Sequence, residues 1–197
     1  NTNALQTVAF EEGSKLDTIA RYAFWNCANL QTAFIPDGVA KIDVGAFLNT
    51  GSVVLSVAEG SFAENYAIKN KLQYVSREPL PFVKYSGTCG DDAAWELYSN
   101  GVLKVLGNGA TVDYAAAGAP WYKYRNEIVK VEIGEGITSI GKFNFYGLNK
   151  LTEVVFAENG ALEVIGWGAF GYTAIEEITI PATVKALNDY AFYNTNA

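Results

Sequence analysis

Apolar and polar residues alternate in short bursts along this chain, and the bursts recur. Each carries the pattern L-x-x-φ-x-φ, where φ is apolar. It is met at Leu5, Val8 and Phe10; at Leu30, Ala33 and Ile35; at Ile128, Val131 and Ile133; at Leu151, Val154 and Phe156; and at Ile175, Ile178 and Ile180. A period of two predicts a short strand with one face buried, so these residues point inward. The residues between them form a lateral stripe facing solvent: Thr7, Thr32, Phe34, Lys130, Glu132, Glu153, Val155, Glu177 and Thr179. After each strand a turn such as Pro36-Asp37-Gly38 leads to a second apolar pair, Val39 and Ile42, and then to an Ala-Phe turn too short for more than one or two helical turns. That dipeptide falls at Ala23-Phe24, Ala46-Phe47, Ala169-Phe170 and Ala191-Phe192, with a weaker copy at Asn144-Phe145. Neighbouring copies lie 22 to 25 residues apart, the size of one solenoid coil. The expected fold is therefore an α/β, β-rich repeat solenoid of short parallel strands.

Longer segments repeat as well. Leu5 to Ile19 overlays Leu151 to Ile165, and Leu30 to Phe47 overlays Ile175 to Phe192, with Ile35-Pro36 matched by Ile180-Pro181. Between Phe47 and Phe145 the pattern breaks. Ala58 to Val75 reads as a short helix and a strand that close a stack, with Ser61 and Glu64 as a capping box and Phe62, Tyr66, Ala67 and Leu72 buried. Residues 77–83 contain two prolines and read as a linker. Asn100-Gly101 predicts a hairpin with a type I′ turn between strands near Trp95–Ser99 and Val102–Leu106. The following stretch, rich in Tyr and Trp, reads as a loop that covers the first coil of a second stack. The organisation expected is residues 1–76 as the end of one stack with a helical cap, 77–83 as linker, and 84–197 as a hairpin cap followed by further repeats. The start and end, NTNA and YNTNA, overlap so as to restore a repeat. They suggest a piece of a tandem protein whose larger unit is about four residues shorter than this chain, with cut coil ends able to stack end to end.

The chain has 197 residues, half of them apolar, enough to bury a sizeable core. A net charge of -7 with no basic stripe argues against a nucleic-acid partner. No apolar run approaches the roughly 18 residues of a membrane span, so no membrane insertion is expected. Cys27 lies three residues after Phe24, where the other coils carry Thr50, Leu148, Thr173 and Thr195, and is read as a buried free thiol in a small interior ladder. Cys89 is read as a packing residue, since nothing in the sequence supplies a base for it.

Catalytic chemistry has few starting points. The chain contains no His, which removes Ser-His and Cys-His pairs and His-bearing zinc sites. Glu11-Glu12 and Glu176-Glu177 are adjacent residues on strands, whose side chains diverge. Asp91-Asp92 sits in a Gly-flanked turn, where turn chemistry or a hard cation such as calcium would suit it. No cofactor and no catalytic residue is assigned. The 27 aromatic residues are more informative, because a two-layer interior cannot hide them all. Trp25, Trp167, Tyr172 and Tyr193 cluster at the Ala-Phe turns and Phe34 on a strand, where they either pack between coils or meet a sugar or a protein partner.

The combination AF-x-x-C-x-x-L with IP-x-x-V-x-x-I resembles the BspA-like leucine-rich repeats of bacterial surface proteins. Ser86 to Ala110, followed by Ala119 to Gly141, is similar to the leader module that precedes such repeats in secreted proteins of gut anaerobes. The resemblance implies a secreted or wall-attached protein, without shared catalytic residues, whose repeats bind a macromolecular ligand: host protein, glycan or another cell. Its alternatives are a structural spacer and an accessory module of a secreted glycan-degrading enzyme. Thr32, Phe34, Lys130, Glu132, Glu153, Val155, Glu177 and Thr179 are the expected ligand-binding face. Asn144 and Leu148 depart from the family pattern, and their coil is expected to be irregular.

Overall fold

The inward residues of the inner coils, Leu30, Ala33 and Ile35 and then Ile128, Val131 and Ile133, are buried, and the computed structural model shows how the coils stack. It describes residues 4–11 and 13–195. Glu12 and residues 1–3 and 196–197, on which the tandem-unit expectation rests, lie outside them. The chain divides into two compact units, Asn1–Leu80 and Pro81–Ala197.

In the first unit the strands are β1 (Thr7–Val8), β2 (Thr18–Ile19), β3 (Thr32–Phe34), β4 (Lys41–Ile42), β5 (Val54–Ala58) and, after helix α1 (Phe62–Lys69), β6 (Gln73–Arg77). They pair in parallel in the order β1-β3-β5-β6 on one side of the coils and β2-β4 on another. Leu30, Ala33, Ile35, Val39 and Ile42 are buried between these sheets. Leu5, Val8 and Phe10, on a coil covered from one side only, remain partly open. Helix α1 starts at Ser61, whose hydroxyl accepts the Glu64 N–H at 3.1 Å. The Glu64 carboxylate reaches back one residue further than a capping box requires, accepting from the Gly60 N–H at 2.8 Å. The helix buries Ala63 and Ala67. Phe62, expected inside, is 45% exposed, because the helix lies on the stack by its alanine face. The residues read as a linker give Arg77 to β6.

The second unit contains β7 (Val83–Thr88), β8 (Asp92–Tyr98), β9 (Val102–Ala110), β10 (Lys130–Ile133), β11 (Gly136–Ile140), β12 (Glu153–Phe156), β13 (Val164–Ile165) and β14 (Ala186–Leu187). Strands β7, β8 and β9 form an antiparallel meander. β9 then changes role along its length. Its first half pairs in parallel with β10 and its second half with β11, so one strand founds both faces of the stack. The hairpin loop is longer than a two-residue I′ turn. Gly101 takes the left-handed conformation at φ 82° while Asn100 does not, as in a three-residue loop ending in glycine. β9 also runs four residues beyond the expected end, through Gly107-Asn108-Gly109. Residues 175–181, although they alternate as a strand should, form none.

The Ala-Phe turns build a third inter-coil ladder. In the second unit the N–H groups of Phe143, Phe145 and Gly147 donate to the carbonyls of Trp167, Ala169 and Gly171 one coil on, and those of Gly168, Phe170 and Tyr172 to Asp189, Ala191 and Tyr193. This requires backbone of alternating hand. Two residues before and two after each turn phenylalanine, φ is positive: Tyr22 and Asn26, Gly45 and Asn49, Phe143 and Gly147, Gly168 and Tyr172, Tyr190 and Asn194. The coil of Asn144 and Leu148 keeps this geometry and is regular. Asn144 donates its side-chain amide to the Val112 carbonyl at 2.9 Å, and its own carbonyl accepts the Trp121 indole N–H at 2.9 Å, tying the covering loop to the stack.

Inside each turn the phenylalanines stack. Trp121, Phe145, Phe170 and Phe192 follow one another at centroid distances of 5.6, 5.0 and 5.3 Å. In the first unit Phe24 and Phe47 stack at 5.0 Å and Tyr66 of α1 ends the row. A cap aromatic thus extends each ladder where coils stop. Thr50, Thr173 and Thr195 donate to the carbonyl of the phenylalanine three residues earlier, which accounts for the small polar column. Cys27 in that column is a free, half-buried thiol.

Candidate functional site

The lateral sheet face follows the predicted alternation, but its side chains are largely engaged with one another. In the first unit the Thr32 hydroxyl donates to that of Thr7 at 3.3 Å. Phe34 lies under the Arg77 guanidinium, 4.1 Å from its centroid, and that guanidinium donates to the Asp37 carboxylate at 2.5 Å and the Ile35 carbonyl at 2.9 Å. Phe34 is therefore a half-buried floor, not a free ring. In the second unit, register places Lys104 beside Glu132 and Lys130 beside Glu153. Lys104–Glu132 (3.4 Å), Lys130–Glu132 (3.4 Å) and Lys130–Glu153 (3.0 Å) form one chain of ion pairs. The hydrogen bond that Lys130 donates to the Glu153 carboxylate, with a further one to Glu132, raises the Lys130 pKa above the usual lysine value. Glu153 and Val155 also border a groove of about 510 Å³, whose far wall is Glu177, Thr179 and Pro181 on the non-strand segment. The structure thus brings four of the expected residues around one cleft and leaves the ion pairs beside it.

The turn face is different in character. Coils stacked roughly 4.8 Å apart carry their outward turn residues in rows, and here the rows are aromatic. Trp167 packs edge-to-face on Phe143 at 4.9 Å and against Tyr190 at 5.2 Å. Tyr146, Tyr172 and Tyr193 follow one another at 5.2 and 5.5 Å, again edge to face. The neighbouring phenol of Tyr193, and after it that of Tyr146, raise the Tyr172 pKa above the usual tyrosine value. Glycines of the next coil make room for these rings. A Cβ on Gly168 would lie 3.1 Å from the Phe143 ring, and one on Gly171 would lie 3.0 Å from the Tyr146 ring. The rings remain open to solvent: Tyr172 is 40%, Tyr193 51% and Tyr190 58% exposed. In the first unit Trp25 is 56% exposed beside Tyr22.

A groove of about 410 Å³ opens in this face of the second unit. Tyr122, Tyr146 and Tyr172 give its aromatic walls, and Asn149, Thr173 and Asn194 its polar ones. Tyr172 and Tyr193 were legible in the sequence as turn aromatics. Phe143, Tyr146, Tyr190 and Tyr122 carry no such mark, although the offset of two residues from each phenylalanine, filled by Gly or Asn in other coils, is a usable signal for the two left-handed ones, Phe143 and Tyr190.

The remaining titratable groups show no assembled reactive centre among the described residues. No group of three or more His, Cys, Asp or Glu is placed to hold a metal ion there. Cys89 is buried in the core of the second unit, and that burial pushes its thiol from 9.0 up to about 11. Tyr114 is likewise pushed up to about 12, by burial and then by the neighbouring Cys89. A thiol that stays protonated at neutral pH is a poor nucleophile.

Parallel coils and aromatic turn ladders, closed by helix α1 in the first unit and by the β7–β9 meander in the second, define a repeat solenoid. Residues 1–74 and 120–197 match the family model of the BspA type leucine rich repeat region, in six copies, and the chain belongs to that family. A solved leucine-rich repeat protein from Eubacterium ventriosum ATCC 27560 is similar to it, with 36% identity over 52% of this chain and a TM-score of 0.47. This chain covers 28% of the length of that protein. No curated protein matches the chain.

Proposed function

We propose that the protein is a non-enzymatic, secreted or surface-attached bacterial solenoid that presents a binding face to a macromolecular ligand and so serves adhesion. The observation that carries this reading is the row of exposed rings on the turn face, held by edge-to-face contacts rather than buried in the core. Rings fixed in place before a partner arrives lose little conformational entropy on binding. The non-strand groove bordered by Glu153, Val155, Glu177 and Thr179 offers a second contact surface on the lateral side. In a screen of the folded chain against a glycan array and a panel of host-matrix proteins, binding in at least one class is expected, and Trp25→Ala or Tyr193→Ala should weaken it. Silence on both, from well-folded protein, overturns the proposal.

The chain of ion pairs favours a second reading for the lateral face. Lys104, Glu132, Lys130 and Glu153 neutralise one another, as suits a spacer wall. Under that reading, reversing these charges leaves every partner interaction intact. Self-association through edge coils belongs to the same proposal, and sedimentation at millimolar protein tests it.

A further inference from the structure

We infer that the groove walled by Tyr122, Tyr146 and Tyr172 is a binding site for a neutral oligosaccharide. This rests on the surface-binding reading above and names its ligand class. The first argument is the placement of Tyr172. The position two residues after the turn phenylalanine is left-handed in all five coils, and it holds Asn26, Asn49, Gly147 and Asn194 in the other four. Those are the residue types that tolerate positive φ, whereas a bulky ring there is an outlier. Tyr172 alone breaks the rule at this position, and its ring is one of the three that wall the groove. Outliers of this kind gather at functional sites.

The lining supplies the second argument. It consists of aromatic rings, phenolic hydroxyls and amides, with no charged side chain among them. Arg125 lies 5.0 Å from the Tyr122 centroid, yet it does not line the groove. In a chain of net charge -7, an uncharged concavity that pairs ring surfaces with hydroxyl and amide groups matches a ligand that has apolar C–H faces and many hydroxyls but no charge. The third argument is pitch. Tyr146 and Tyr172, which both line the groove, advance one per coil at 5.2 Å, a step comparable to one pyranose ring in a chain of sugars, and Tyr193 continues the row beyond the groove at 5.5 Å. Contacts between the tyrosines, and the close approach of Tyr146 to Gly171, hold the walls in place without a ligand.

The test uses the 197-residue chain on an array of neutral and acidic oligosaccharides, followed by calorimetry with the best neutral hit. Binding to neutral members is expected. Tyr172→Asn installs the residue that three other coils use, so the melting temperature should change little while affinity falls about tenfold or more. Tyr172→Phe should retain most of the affinity. Asn149→Ala, at an exposed position, should weaken binding severalfold with an unchanged melting curve, and it serves if Tyr172→Asn folds poorly. Neutral-glycan binding that both Tyr172→Asn and Asn149→Ala leave intact overturns this site but spares the surface-binding reading. Binding confined to acidic glycans or to host proteins overturns the ligand class and also spares that reading. Silence on the array overturns the proposal, and silence on matrix proteins as well removes the reading beneath it.

Discussion

Left-handed backbone carries a cost that depends on its side chain, and the turn face shows how that cost is met. Gly and Asn fill six of the ten left-handed turn positions; Tyr22, Phe143, Tyr172 and Tyr190 fill the rest. For such residues the conformation costs about 1–2 kcal/mol. An edge-to-face ring contact returns about 0.5–1.5 kcal/mol. Phe143 has two such contacts, both at 4.9 Å, and Tyr172 has two as well, so each ring roughly offsets its own backbone. Cys89 presents the opposite case, a polar group whose stability contribution depends on pH. Its folded pKa of about 11 lies above the ordinary 9.0, so between those values the folded state binds more protons than the unfolded one. The contribution is present below pH 9 and is lost as pH rises toward 11, a fall on the order of 2–3 kcal/mol. Urea midpoints measured from pH 8 to 11 should drop across that window in the native chain and drop less in Cys89→Ala. A flat profile in both contradicts the burial argument.

At the scale of elements, β9 is the piece on which the second unit turns, and Gly107 is its corner. At φ 96°, with the position of a Cβ only 2.0 Å from the Asp92 carbonyl oxygen, no side chain fits without moving β8. Gly109 has a similar φ of 83° but open space around it. Gly107→Ala should therefore cost about 3 kcal/mol or more, and Gly109→Ala about 1–2 kcal/mol, in denaturant midpoints. Equal losses would place the effect in φ alone. The same corner shows what a sequence conceals. Leu30, Ala33, Ile35 and the turn phenylalanines were readable because burial prints a period on them. Strand β7 was not, since all six of its residues are exposed and no alternation marks it. The extension of β9 was hidden because Gly107 and Gly109 signal a turn wherever they stand. Residues 175–181 erred the other way, alternating correctly without pairing to β12. The ladder positions of Tyr172 and Phe143 were hidden because an aromatic residue carries no local sign of positive φ; only comparison with Asn49 and Gly168 at the same offsets reveals it.

At the scale of the whole molecule, the two units have separate cores. One is built on Leu30, Ile35, Leu55 and α1, the other on Trp121, Ile128, Ile137 and the Phe145–Phe170 stack. Each core has its own cap, helix α1 in the first and the β7–β9 meander in the second. A fragment of residues 81–197 therefore retains its meander cap, its phenylalanine ladder and its buried tryptophans Trp95 and Trp121, and is expected to fold without the first unit. The two cores also differ in size. Both are bordered by partly buried side chains, Val8 and Phe24 in the first and Val154 and Phe156 in the second, but among the described residues the first core has 13 buried members and the second 22. Apolar burial stabilises by about 25 cal/mol per Å², so the second unit is the more stable one. Heating the full chain should give a lower transition for residues 1–80 and a higher one that coincides with the melt of the 81–197 fragment. Hydrogen exchange should show the slowest amides in β10 and β11, which are paired on both sides, and the fastest in β1 and β14 at the edges. A single transition in the full chain, together with an unfolded 81–197 fragment, would falsify the independence of the cores.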